Sequence, residues 1–561
     1  MAMTFEEAVA QVTAPGGMFE TGDGVVSGVD QRVFVHTPPN MRSLFEIARL
    51  GGDKVFLVYE DEEWTFNAAL EQIDALAGAL VDRYGVEKGD RVALALRNYP
   101  EWIFAYGAVV SIGAVCVPLN AMWTIDELEY GIEHSGSTVM VADPERVSRT
   151  GAVCARAGVK VICVRDDETV GADVDRWEDV VVAGTPMPDV DVGPDDDATI
   201  LYTSGTTGRP KGAVSTHAAI LNAVMAYGAR AGVDKLRSDR DGIDLEQSSG
   251  PKPVFILIVP LFHVTGCIPV MLGCVVAQLK LVMMYKWDVD KALPLIERHH
   301  VTHFVGVPTQ SWDLVQSPHF ADYDTSSLRN VGGGGAPAPV KLVAEVASSV
   351  KGGGPIIGYG MTETNAYGPQ NLGDDYLTHP ASTGRALPIL EVEIRDEAGV
   401  ALATGERGEI WMKGPNLIRG YWNDPEATAE AIVDGWLRTG DAGRLDEDGF
   451  LYIEDRIKDM ILRGGENVYC AEVESAIFDH PAVHEVAVFG VHHERLGEEV
   501  AAAVHLDDGE SLTEDELRTY LRAKLAAFKV PSHITFLDEP LPRNAAGKFL
   551  KRELRHLFSA R

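Results

Sequence analysis

Residues 199–217 read T-I-L-Y-T-S-G-T-T-G-R-P-K-G-A-V-S-T-H and concentrate groups that can hold a polyphosphate. A β-prone run, Ile200-Leu201-Tyr202, feeds a segment where Thr203, Ser204, Thr206 and Thr207 offer hydroxyl donors. Gly205 and Gly208 can take positive φ and let a ligand approach the backbone, so that successive N–H groups form an anion-binding nest. Lys211 adds a point charge. A glycine-rich surface turn is the plain alternative, and the density of donors after a strand argues against it. The spacing is not that of a Walker A loop, because Pro210 precedes Lys211 and Gly212 follows it.

Further clusters lie downstream. In G-Y-G-M-T-E-T, residues 358–364, Glu363 suits a hard divalent cation, which takes oxygen ligands from one or two carboxylates and from phosphates. Thr362 can reach an α-phosphate, and Tyr359 offers a flat face to a purine. Alone, this run also reads as a helix start with Thr as N-cap and an acidic first turn. In G-G-G-G-A-P, residues 332–337, the glycines either admit a ligand or form a flexible linker, and the β-prone Val331 disfavours the linker. His263, in P-L-F-H-V-T-G, follows an apolar strand over 254–259 that would deliver it to a strand end; a lone His is more often structural than catalytic. Asp441, in W-L-R-T-G-D-A-G, can accept both ribose hydroxyls or be an ordinary turn aspartate. In P-R-N-A-A-G-K, residues 542–548, a glycine turn presents Lys548, which can bridge a carboxylate and an α-phosphate as charge redistributes.

Together these motifs resemble the adenylate-forming superfamily of acyl-CoA synthetases, luciferases and peptide-synthetase adenylation domains, over nearly the whole chain. The resemblance implies an α/β protein with a large N-terminal domain of layered α/β subdomains, residues 1–456, and a small, mobile α+β C-terminal domain, residues 457–561. It implies ATP, Mg²⁺ and coenzyme A as cofactor and co-substrates, and a small carboxylic acid as partner. The nucleotide set it implies is Thr203, Ser204, Gly205, Thr206, Thr207, Gly208, Lys211, Gly335, Ala336, Pro337, Tyr359, Gly360, Asp441 and Arg456, with Mg²⁺ on Glu363 and Thr207. It places His263 at the acyl carboxylate, and makes Lys548, His263, Thr362 and Glu363 the catalytic group. Lys458 takes the hinge position, where backbone freedom matters more than side-chain chemistry. Gly464, Gly465 and Glu466, in R-G-G-E-N, would line a pantetheine tunnel; Lys529 would meet coenzyme A or be a surface lysine. The family more often has Gly where Asp455 stands, a departure common in fatty-acid members.

The acid would be received by His263, Val264, Thr265, Val307, Gly333, Gly334 and Met361. These are small or apolar and include no carboxylate for an ammonium, which favours an aliphatic or aryl-substituted acid over an amino acid; the E-N-V-Y run at 466–469 resembles medium- or long-chain fatty-acid members, so a medium- or long-chain fatty acid or an aryl-alkanoic acid is expected. Rival readings are a ligase that loads a separate carrier protein or stops at acyl-AMP, and an inactive acyl-nucleotide sensor.

Alternating signals must position these clusters. Phe66, Leu70, Ile73, Ala77 and Leu80 recur at helical spacing and Gly85 is a stop. A strand over 92–96, a helix over 102–112, a strand over 114–119, a helix over 125–134 and a strand over 138–141 follow, the pattern of a layered α/β architecture. Residues 1–40 read as an irregular arm, and 232–253 as a long polar loop, either a flap or an inert insertion. Near Asp455 the composition shifts to a small α+β unit, with a strand at 486–491 and a charged helix over 514–527.

The chain of 561 residues is long enough for two or more domains. Asp and Glu number 84 against 49 Lys and Arg, for a net charge of −35, which disfavours nucleic acid and anionic membranes. Any anion site must therefore be built from local donors. Six scattered cysteines without a C-x-x-C pair argue against a zinc site or a disulfide framework. The start, M-A-M-T-F-E-E-A-V, lacks a basic, apolar leader, and the most apolar run, 266–284, carries Pro269, Gln278 and Lys280 and reads as buried helix plus strand. A cytoplasmic protein without a transmembrane segment is expected. The sequence does not set the oligomeric state, a homodimer being one option.

Overall fold

The computed structural model describes residues 3–166, 171, 173–203, 209–238, 252–336, 338–457, 459–463, 466–543 and 549–559. Among them the strands form five sheets, two of eight strands, two of five and one hairpin. The first large sheet runs in the order Gly420–Tyr421, Lys211–Thr216, Asp197–Thr203, Val115–Pro118, Arg91–Ala95, Val139–Ala142, Lys160–Cys163, Val174–Arg176. The second runs Gln370–Leu372, Gly354–Gly358, Asn330–Gly334, His303–Gly306, Val254–Leu257, Lys280–Met283, Val55–Tyr59, Glu62–Thr65. The second is parallel between its two edge strands; the first is parallel from Asp197–Thr203 to Val174–Arg176 and antiparallel across Asp197–Thr203, Lys211–Thr216 and Gly420–Tyr421, so helix–strand alternation builds most of both.

Period-2 side-chain alternation builds the layers. Val92, Leu94, Val139 and Val141 face a core shared with Leu57, Ile256 and Leu281 of the second sheet, whereas Ala93, Ala95, Met140 and Ala142 face a separate core on the other side. Helices Phe66–Asp82 and Pro100–Ser111 contribute to the shared core, and every residue of the second is buried. A five-stranded sheet with helices Cys470–Phe478 and Glu514–Arg522 encloses its own core of Ile461, Val473, Val488, Val504 and Leu517. The chain thus has a large N-terminal and a small C-terminal domain.

The helices and strands expected between residues 66 and 142 form within a few residues of the expected bounds. Two expectations are corrected. Residues 1–40 are not an irregular arm: Phe5–Val12 is a helix closed by a capping box of Thr4 and Glu7, and Thr21–Val26 pairs with Val29–Phe34. Phe5 is held by arginines remote in sequence, with the Arg385 guanidinium 4.0 Å from its ring centroid. The polar loop also begins later than expected. Helix His217–Ser238 continues through residues 232–238, supported by Arg230–Asp234 at 3.0 Å and Arg237–Asp375 at 2.7 Å; residues 239–251 lie outside the described ones. Residues 266–284 form a π-helix, Gly266–Leu272, then Gly273–Ala277 and the strand Lys280–Met283. No described helix is long and apolar enough to cross a membrane.

Candidate active site

Four adjacent parallel strands of the second sheet end on one edge: Gly354–Gly358 leads to Tyr359, Asn330–Gly334 to Gly335, His303–Gly306 to Val307, and Val254–Leu257 to the turn bearing His263. The carboxyl ends of such strands are where open α/β sheets bind ligands. Two buried amides shape this edge. Asn98 Nδ2 donates to the carbonyls of Val259 and Met284, both at 3.1 Å, and its Oδ1 accepts from Leu261 N at 2.9 Å. Gln310 accepts from Val307 N and donates to Ile258 O at 3.0 Å. His263 is half-buried, and its Nδ1 faces Thr265 N at 3.4 Å.

The glycine run needs a correction. A Cβ on Gly332 would lie 2.0 Å from Ile356 O, one on Gly333 2.0 Å from Gly306 O, and one on Gly334 2.4 Å from Gly358 O. The neighbouring strands, not a ligand, exclude side chains at these three positions. Gly335, at φ +83 with only Val307 near, keeps the ligand argument open. Beside this run lies an apolar cavity bordered by Gly333, Pro308, Leu342, Val343, Val346 and Tyr376, with about 20 Å³ of free volume, room for one water-sized group. An acyl chain would need the walls to part.

Glu363 sits on a 3₁₀ turn, Thr362–Thr364, and is 7% exposed. The next two residues, Asn365 and Ala366, adopt φ of +51 and +64, costly outside glycine and less so for Asn. Distant groups impose this. Ser215 Oγ donates to Asn365 Oδ1, Asn365 Nδ2 to Asn416 O, Asn416 Nδ2 to Thr364 O, and Tyr227 Oη to Ala366 O. Tyr421 Oη donates to Glu363 Oε1 at 2.8 Å, and the Lys211 ammonium stands 5.0 Å from the Tyr421 ring centroid. Burial, then the Glu363 charge, raises the Tyr421 pKa, so its hydroxyl stays a donor. Glu363 has no ion-pair partner among the described residues, and no described cluster of three or more His, Cys, Asp or Glu could hold a metal alone. A buried carboxylate with one oxygen unengaged by any described residue fits a Mg²⁺ that draws its other ligands from phosphates and water.

Tyr359, Asp441 and Arg456 also meet. Tyr359 Oη donates to Asp441 Oδ2, and Asp441 lies opposite Arg456 in the antiparallel ladder of Trp436–Leu445 and Leu451–Arg456, with Arg456 Nε 3.7 Å from Asp441 Oδ1. Burial and the Asp441 charge hold the Tyr359 hydroxyl protonated well beyond its ordinary range. Thr203 and Lys211 are partners at the end of a second ladder.

Met361 and Gly360 belong to the Glu363 turn: Met361 N donates to Thr364 Oγ1, and a Cβ on Gly360 would stand 2.1 Å from Ala366 O. In the C-terminal domain, Glu466 lies opposite Arg463 in a short ladder, and Lys529 donates to both oxygens of Glu472, so its charge is paired within its own domain. Neither is joined to the Glu363 or Asp441 groups by a described hydrogen bond. Ser204, Gly205, Thr206, Thr207, Gly208, Pro337, Lys458, Gly464, Gly465 and Lys548 lie outside the described residues. Sequence reasoning missed Tyr421, Asn98, Gln310, Asn365 and Asn416. The one local signal was an Asn after the T-E-T turn, a residue tolerant of positive φ.

A family model described as AMP-binding enzyme matches residues 44–422, and one for the AMP-binding enzyme C-terminal domain matches 472–548. The chain is 36% identical to a long-chain-fatty-acid–CoA ligase of Mycobacterium tuberculosis, over 87% of this chain and 93% of the relative. It is 35% identical to a feruloyl-CoA synthase of Amycolatopsis, over 84% and 90%. Its fold superposes on ATP-bound MatB of Rhodopseudomonas palustris with TM-score 0.82 and 33% identity, over 92% and 99% of the two chains.

Proposed function

The chain belongs to the AMP-binding enzyme family, and on that premise we propose how its residues divide the work of an ATP-dependent acid–CoA ligase. In such a ligase the carboxylate oxygen attacks the α-phosphorus of ATP, the bond to the β-phosphate oxygen breaks, and acyl-adenylate and pyrophosphate form. The thiol of coenzyme A then adds to the acyl carbon and AMP leaves. The observation that carries the residue assignment is the meeting of motifs from remote parts of the chain: Lys211 and Glu363 on Tyr421, and Tyr359 on Asp441 opposite Arg456.

Lys211 and the hydroxyl and amide donors that follow Thr203 receive the phosphates. Asp441 accepts from the ribose hydroxyls, Tyr359 presents its ring to adenine, and Thr362 donates to the α-phosphate. Glu363, with Thr207, would hold Mg²⁺, which when bound withdraws charge from the phosphate oxygens. The acid carboxylate is already ionised at neutral pH, so no general base is required. His263 flanks it and gates the pocket. Lys548 offsets the charge that grows between carboxylate and α-phosphate, a contribution on the order of 3–4 kcal/mol.

Residues 1–456 form the adenylating domain and 457–561 the mobile one. Strand Leu451–Arg456 pairs with Trp436–Leu445, whereas Ile461–Arg463 pairs with Gly497–Leu506, which supports a hinge at Lys458. Rotation there withdraws Lys548 and brings Gly464, Gly465 and Glu466 to the thiol's path. The acid is a medium- or long-chain fatty acid or an aryl-alkanoic acid. Relatives named for long-chain fatty acids and for ferulate support this, as does the absence of a carboxylate among Val264, Thr265, Val307, Gly333 and Met361. Six free, buried cysteines suit the reducing cytoplasm.

The test separates the half-reactions. Lys548→Ala should lower acid-dependent pyrophosphate release about 10²–10³-fold. Thioester formation from supplied acyl-adenylate should stay near wild type. Equal loss in both would rule out the rotating-domain account, and no acid-dependent conversion of ATP to AMP by wild type would rule out the ligase.

A further inference from the structure

We infer that Tyr421 is a positioning residue that sets the carboxylate of Glu363 and the ammonium of Lys211 as one unit, so that cation and phosphates are received together. The inference rests on reading Glu363 as the cation's carboxylate.

Residues 418–422 form a splint between the strand that begins at Lys211 and the turn that carries Glu363. Arg419 N donates to Val214 O at 3.0 Å and Trp422 N to Gly212 O at 2.7 Å, which fastens one side of the splint to the strand that begins at Lys211. Ile418 N donates to Glu363 O at 3.0 Å, which fastens the other side to the turn. Tyr421 stands opposite Ala213, two residues along the strand from Lys211 and therefore on the same face. From there its hydroxyl donates to Glu363 Oε1 at 2.8 Å while its ring lies 5.0 Å from the Lys211 ammonium. Tyr421 is itself fixed, its N–H donating to Thr428 Oγ1 at 2.8 Å. Gly420, at φ +152, admits no side chain, because a Cβ would meet the Thr428 methyl at 2.6 Å.

The hydroxyl occupies one lone-pair direction of Oε1, and among the described residues none bonds Oε2, which is left for a cation. It also removes the rotational freedom a lone carboxylate would lose on binding. Partners that orient a metal's ligands matter nearly as much as the ligands themselves. The ring keeps Lys211 beside the cation's carboxylate without neutralising it, since a cation–π contact, unlike an ion pair, leaves the charge available to phosphate.

The measurement is equilibrium binding of Mn²⁺ to the full chain saturated with a non-hydrolysable ATP analogue, read from the electron paramagnetic resonance of free Mn²⁺. Tyr421→Phe keeps the ring and removes the hydroxyl. Its Mn²⁺ dissociation constant should rise about 10-fold, with the analogue's own affinity in the absence of metal unchanged. Pyrophosphate release by this variant should recover at high Mg²⁺, a change in half-saturation rather than in maximal rate. Glu363→Gln should weaken Mn²⁺ binding further, and adding Tyr421→Phe to it should cost nothing more. Wild-type Mn²⁺ affinity in Tyr421→Phe, or additive losses in the double variant, would overturn the role of Tyr421. Wild-type affinity in Glu363→Gln would instead overturn the reading of Glu363. Tyr421→Leu, which removes the ring as well, should in addition weaken metal-free binding of the analogue; an unchanged value would overturn the Lys211 half of the inference.

Discussion

Glu363 and Asp441, the two carboxylates of the proposed site, are held in opposite ways. Glu363 rides a turn whose left-handed residues are fixed by Ser215, Tyr227 and Asn416, and its own carbonyl accepts from Ile418 N, each remote in sequence. Asp441 rides an antiparallel ladder with its partner strand close behind it in the chain. The first position depends on several remote groups; the second depends on its neighbouring strand and on one remote hydroxyl, that of Tyr359. The difference teaches that the carboxylate proposed to hold the cation is coupled to folding more strongly than the one proposed to accept the ribose. Variants should therefore disturb stability on one side and affinity alone on the other.

The largest effect should come from Asn365→Ala. It forces a non-glycine residue without local hydrogen-bonding help into the left-handed region and leaves buried groups unsatisfied, at a cost of about 3–4 kcal/mol. Differential scanning calorimetry should show a marked fall in melting temperature together with lost pyrophosphate release. Asn365→Gly keeps the backbone and loses only the bonds, so it should lie between the two. If alanine and glycine were alike and harmless, the turn would not depend on its distant partners.

Acid should act next, and on the same side. His217 begins the helix that carries Tyr227 and directly follows the strand that carries Ser215. It is buried, its Nδ1 accepts from Met41 N, and burial lowers its pKa to about 4. A folded value below the unfolded one means that the unfolded chain binds the extra proton first. The stability due to neutral His217 is thus whole above about pH 6.5 and is lost as the pH falls through the interval to about 4, amounting to about 3 kcal/mol. His303, half-buried at the opposite ends of the second sheet's strands and lowered to about 4 by desolvation, adds in the same sense. Denaturant midpoints between pH 7 and 4 should fall less steeply in His217→Gln than in wild type. Parallel curves would remove His217 from the account.

On the ladder side, Asp441→Asn preserves shape and should leave the melting temperature almost unchanged. It removes a charged acceptor, so the dissociation constant for an ATP analogue should rise about 10-fold. A large loss of stability here would erase the contrast between the two regions. The smallest effect is expected from Arg456→Lys. Its pair with Asp441 is long, at 3.7 Å, and the arginine is 39% exposed. A change in nucleotide affinity of a fewfold, weaker still in high salt, should be all that calorimetric titration detects.

The sequence by itself determined what is encoded within a few residues. Helix spacing from Phe66 to Leu80, the strand–turn signals flanking it, the shift near Asp455 and the motif residues Lys211, Glu363 and Asp441 were legible because each signal is local. The N-terminal helix was hidden, since its apolar spacing is set among Gly, Asp and Pro and its Phe5 anchor rests on arginines hundreds of positions away. The reason for glycine at 332–334 was legible only as a need for glycine, because strand neighbours, not sequence neighbours, supply the clash. Tyr421, Asn98, Gln310 and Asn416 carried no signal at all. A tyrosine in a two-residue strand or an asparagine after a loop gains its meaning from the partner it reaches. Tertiary structure alone decided those partners, because a hydrogen bond is satisfied by proximity in space and sequence order does not record it.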